Sequence, residues 1–70
     1  MRAREINRRV ERLGGKHVRT TGSHRWYRAT TSQGITCATA VPQHPGDIKP
    51  GTQRKIEREL EPAFGKGWLR

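Results

Sequence analysis

Few side chains in this sequence could do chemistry, and their distribution is uneven. Three histidines, His17, His24 and His44, and one cysteine, Cys37, are scattered through the first two thirds of the chain. Between Lys16 and Gly46 there is no carboxylate, only the cations Lys16, Arg19, Arg25 and Arg28. Hydrolysis by paired carboxylates and carboxylate-held magnesium therefore have no donors here. The histidines lack metal-ligand spacing, and a single cysteine makes neither an internal disulfide nor a zinc knuckle, so neither metal nor cofactor is expected. Cys37 sits in a strand-like run and reads as a small buried hydrophobe rather than a nucleophile. What remains is imidazole in a positive field. That inventory suits RNA cleavage by transesterification: a base takes the 2′-hydroxyl proton, the oxygen attacks the adjacent phosphate, and cations stabilise the developing charge. Imidazole, with an ordinary pKa near 6.5, supplies a neutral acceptor at physiological pH without a metal.

Composition agrees with a polyanionic partner. The chain has 70 residues, 15 Lys and Arg against 6 Asp and Glu, and a net charge of +9. Such an excess opposes compaction by self-repulsion and favours nucleic acid as the partner. Hydrophobic residues make up only 30%, which allows one thin core and a single domain. No segment has the apolar length of a membrane span, the opening residues are charged rather than signal-like, and the low cysteine content fits the cytoplasm.

The elements that must position these residues follow from periodicity. Ala3, Ile6, Val10 and Leu13 recur at helical spacing, and Gly14-Gly15 stops that helix. Arginines near its start oppose the helix dipole and read as a solvated face. Three strands follow: His17 to Thr21, Ser23 to Thr31 and Gly34 to Val41. Gly22 breaks the first from the second, and Ser32-Gln33-Gly34 turns the second into the third as an antiparallel hairpin. Alternation puts His24, Trp26 and Arg28 on one side of the second strand and Arg25 and Tyr27 on the other, so one aromatic enters the core. In the third strand, Ile35, Cys37, Thr39 and Val41 share a face, but neither face is polar enough to mark the inner one. Pro42 to Asp47 reads as a rigid loop. A second helix starts at Pro50 with Ile56, Leu60 and Phe64 on its stripe, and Pro62 is expected to end or kink it. Residues 1–62 thus form one α+β domain, with two helices on one face of a three-stranded antiparallel sheet and the other face open. Residues 63–70 are a tail that could pack a ring, fray, or mediate a homo-oligomer.

Two blocks of sequence narrow the function. Gly22-Ser23-His24-Arg25-Trp26-Tyr27-Arg28 combines a turn glycine, a hydroxyl and a histidine at the head of a strand. Val41-Pro42-Gln43-His44-Pro45-Gly46-Asp47-Ile48-Lys49-Pro50-Gly51-Thr52 leads from the third strand into the last helix. Together with Arg4-Glu5-Ile6 and Gly14-Gly15 they resemble the HicA family of bacterial toxins over roughly residues 2–60. The resemblance implies a double-stranded-RNA-binding-domain-like α-β-β-β-α fold, messenger-RNA endoribonuclease activity, and a HicB antitoxin that covers the active surface. It implies that His24 is the catalytic histidine, with Gly22 and Ser23 as its lead-in. His44 and Pro45 match a loop motif that looks structural in the family, so His44 is not assigned to catalysis. RNA binding is expected from Lys16, Arg19, Gly22, Ser23, Arg25 and Arg28, the cations contacting phosphate. The group that protonates the leaving oxygen is open: Ser23, Tyr27, a lysine or water. Two departures stand out, the extension from Glu61 to Arg70 and Trp26, bulkier than the aliphatic residue expected there.

Two rivals belong to other classes. A non-catalytic RNA-binding module of the same fold would use His24 only as a contact, yet Pro50-Gly51-Thr52-Gln53 lacks the dense lysine cluster such modules carry. A DNA-binding protein would need a recognition helix basic at its start and free of acids, and neither helix qualifies.

Overall fold

Ala3, Ile6 and Val10 are buried along one side of α1 (Ala3–Arg12), as their spacing requires. At its start the Arg2 backbone N–H donates to the Glu5 carboxylate at 2.8 Å, satisfying one of the free amides of the first turn. The computed structural model describes residues 1–70 and continues with β1 (Lys16–Thr21), β2 (His24–Thr30), β3 (Thr36–Pro42) and α2 (Pro50–Phe64). The strands form one antiparallel sheet in the order β1-β2-β3, so the α-β-β-β-α, α+β architecture is the expected one. Strand ends shift from the sequence expectation by a residue or two, the usual margin for frayed ends.

The core lies between the helices and one face of the sheet. Tyr27 and Ala29 from β2 and Val41 from β3 pack there with Ile6, Val10, Ile56 and Leu60. Tyr27 is therefore the aromatic that enters the core, and Trp26 points away. The inner face of β3 is that of Cys37, Thr39 and Val41. Cys37 is half-buried against the core rather than enclosed, and Ile35, just before the strand, is 58% exposed. Gly15 follows α1 because space demands it. A Cβ there would overlap Val10 Cγ1 and approach the Phe64 ring.

Two features of the C-terminal part differ from the sequence reading. Pro62 neither ends nor visibly interrupts α2, which runs on to Phe64, where the Gly65 N–H closes the last turn on the Glu61 carbonyl at 2.8 Å. Proline in the last turn removes only one amide, so neighbouring packing outweighs its cost. Beyond the helix, Trp68 and Leu69 are buried in the core cluster. The Trp68 indole N–H donates to the Glu57 carbonyl at 2.7 Å, and the Phe64 ring meets the indole edge-on at 5.2 Å. From α1, the Arg9 guanidinium donates to the Trp68 carbonyl at 3.1 Å. No helix is long and apolar enough to cross a membrane.

Candidate active site

β1 and β2 are joined by the two residues Gly22 and Ser23, with Thr21 and His24 paired across the turn. Gly22 has φ +58 and no other residue of the turn has positive φ, the pattern of a type II′ hairpin turn, which places glycine first. A Cβ on Gly22 would meet nothing within 4 Å. Glycine is thus required for backbone conformation, and the turn stays open to a ligand.

This turn delivers His24, exposed, to the first position of β2, opposite Pro42 at the end of β3. The Gln43 N–H donates to the Ser23 carbonyl at 2.6 Å, tying the following loop to the turn. The loop is held from below as well. The side-chain amides of Gln43 and Asn7 exchange hydrogen bonds of 2.8 and 3.2 Å, and Gln43 Nε2 also donates to the Val41 carbonyl. Ile48 plugs into the core at the loop's far end. The outcome is a cleft of 410 Å³ lined by His24, Pro42, His44, Pro45, Asp47, Ile48, Lys49 and Thr52. A second cleft of 330 Å³ lies across His44 and Pro45 and carries Arg2 and Arg4. His44 therefore belongs to the same cleft as His24, although 20 positions separate them in the chain. The signal available in sequence was indirect: His44 follows by two residues the strand end that pairs with His24.

The other sequence-assigned residues divide by face. Trp26 and Arg28 share the open face of β2 with His24, and the register puts Lys16 opposite Arg28 and Arg19 opposite Trp26. Arg19 reaches that face only through a β-bulge between His17 and Arg19, which spends Val18 as an unpaired residue and restores the alternation. Arg25 is not brought there. It lies on the helix side, 3.3 Å from Glu11, with its guanidinium 5.6 Å over the Tyr27 ring. Tyr27, one of the groups considered for protonating the leaving oxygen, is fully buried and its hydroxyl donates to Glu11 at 2.8 Å. Burial, chiefly, and then the hydrogen bond to Glu11 push its pKa up to about 12. It is a framework group. His17 is exposed and hydrogen-bonded to Thr20 at 2.9 Å, away from His24's side of the sheet. No three His, Cys, Asp or Glu side chains converge as a metal-ligand set would.

Comparison with protein families decides the relationship. A family model described as the HicA toxin of bacterial toxin-antitoxin systems matches residues 3–61. The chain belongs to the HicA toxin family. The matched span contains both helices nearly whole, the entire sheet and both clefts, with the double-stranded-RNA-binding-domain-like topology. HicA toxins are messenger-RNA interferases, and membership implies an antitoxin partner. Comparison with curated proteins and with solved structures returns no significant match. In this HicA protein the match stops at residue 61, while Trp68 and Leu69, beyond it, are part of the core.

Proposed function

We propose that this HicA protein is a metal-independent endoribonuclease that cleaves messenger RNA by histidine-dependent transesterification and is neutralised by a HicB-type antitoxin. The observation that carries this reading is the placement of His24 at an open turn, in a cleft shared with a second imidazole and the Lys49 amine. In the step proposed, His24 accepts the 2′-hydroxyl proton and the 2′-oxygen attacks phosphorus. The bond from phosphorus to the 5′-oxygen breaks, leaving a 2′,3′-cyclic phosphate, and that oxygen takes a proton from His44 in its imidazolium form. His44 suits the acid role better than the earlier candidates: Tyr27 is buried, and a serine hydroxyl is a far weaker acid. Lys49 and the exposed cations Arg28, Arg19 and Lys16 stabilise phosphate charge, with Gly22 and Ser23 leaving room for the backbone of the RNA. Arg25, engaged by Glu11, contributes less than its sequence position suggests. An antitoxin with an acidic surface would complement the net +9 charge.

The test compares the purified chain with His24→Ala on labelled single-stranded RNA at low salt with a chelator present. Cutting by the wild type alone, with 2′,3′-cyclic or 3′-phosphate ends, supports the reading. Binding by both with cutting by neither replaces it by the non-catalytic RNA-binding module.

A further inference from the structure

The open face of the sheet carries a feature that the cleavage chemistry does not use. Trp26 is only half-buried there, unlike Trp68, which is 8% exposed with its N–H bonded. On the β1 side the Arg19 guanidinium lies 4.8 Å from the indole centroid. On the β3 side, Ala40 is paired with Trp26 and Ala38 with Arg28, so nothing larger than a methyl group flanks that side of the ring. The β-bulge at Val18 is what turns Arg19 toward this face; regular alternation from Lys16 would have put Val18 there instead. Along β2, Trp26 stands two residues from His24 on the same side, roughly 6.7 Å away.

We propose that Trp26, capped by Arg19, is a stacking platform for a nucleobase of single-stranded RNA next to the phosphate held at His24. The inference rests on the endoribonuclease reading for its substrate, and it adds a binding subsite specific to this chain. An indole whose free side is bordered by methyl groups offers a π-face to any base, and a stacked guanidinium strengthens such contact by cation–π attraction. The surrounding charge fits the occupant: Lys16, Arg19 and Arg28 lie on this face, and no carboxylate occurs on any of the three strands. Stacking is tolerant of base identity, so the subsite sets register on the strand more than sequence preference.

The experiment uses the full chain carrying His24→Ala, so that RNA survives the titration. A short single-stranded RNA oligonucleotide is added while intrinsic tryptophan fluorescence and affinity are followed. The expected result is quenching that disappears in the His24→Ala, Trp26→Leu double variant, with affinity falling roughly 5- to 150-fold, the range of one lost base–aromatic stack. Trp26→Phe in the same background retains most of the affinity, which separates loss of the ring from loss of the fold. An oligonucleotide abasic throughout binds the His24→Ala chain equally well with and without the Trp26→Leu substitution. Unchanged affinity and undiminished quenching in the Trp26→Leu chain would overturn the platform and leave this face to a protein partner. Stacking in a wild-type chain that never cuts RNA would instead sink the endoribonuclease reading and keep the platform.

Discussion

Trp68→Ala is expected to remove a large part of the stability of this protein, although Trp68 lies outside the span matched by its family. The indole is 8% exposed, its N–H is bonded to the Glu57 carbonyl, and it meets Phe64 edge-on. Truncating a buried tryptophan costs about 3–5 kcal/mol through lost transfer energy and the cavity left behind. A chain of this size has about 3.5–10 kcal/mol in total. The substitution should therefore consume a third or more of it. Urea unfolding followed by far-ultraviolet circular dichroism is the assay. With a slope of about 1 kcal/mol/M for a small domain, the midpoint should fall by roughly 3 M, or the variant should be unfolded before urea is added. Trp68→Phe, which keeps a ring but loses the N–H donor, should cost less, with about 1 kcal/mol from the missing hydrogen bond. Deleting Lys66 to Arg70 removes Leu69 too and should unfold the chain outright. A midpoint that moves by less than about 0.5 M in Trp68→Ala would refute the argument, because the segment would then be lying on the core without contributing to it.

Tyr27 is the only tyrosine, so its titration can be read directly from tyrosinate absorbance. With a folded pKa of about 12 against the ordinary 10.0, its protonated form is favoured by folding. That contribution is full below pH 10 and lost as pH rises toward 12, so unfolding should become easier over that window; tyrosinate appearing at pH 10 in the folded chain would contradict it. Gly15→Ala should cost about 1–3 kcal/mol by overpacking against Val10 and Phe64, checked by thermal unfolding. For His44→Ala, cleavage of ordinary RNA should fall about 10²–10⁴-fold. A ribonucleotide ester with a nitrophenolate leaving group needs no proton donor and should be cleaved nearly as fast as by the wild type, whereas His24→Ala stays inactive on both. Equal loss on both substrates would make His44 a positioning residue for the loop.

Much of the fold was legible in sequence because it follows from short-range periodicity. The helical spacing of Ala3, Ile6 and Val10 and that of Ile56 and Leu60 set two helices, and alternation along His24 to Arg28 sorted that strand's faces. The turn at Gly22-Ser23 and the assignment of the family also rest on contiguous residues. Four other matters depended on the tertiary structure. The inner face of β3 was undecided because both faces are nearly apolar, and only packing under the helices selects Val41 and Thr39. Arg19 changes face because a single bulge breaks the alternation, an event without a local signature at Val18. Pro62 stays inside α2 because the surrounding core outweighs one missing amide. His44 reaches the cleft of His24 through the antiparallel pairing of β2 with β3, a long-range register that brings together residues distant in the chain. Local composition thus determined which elements form and which chemistry is available; the register and packing between elements decided which side chains meet.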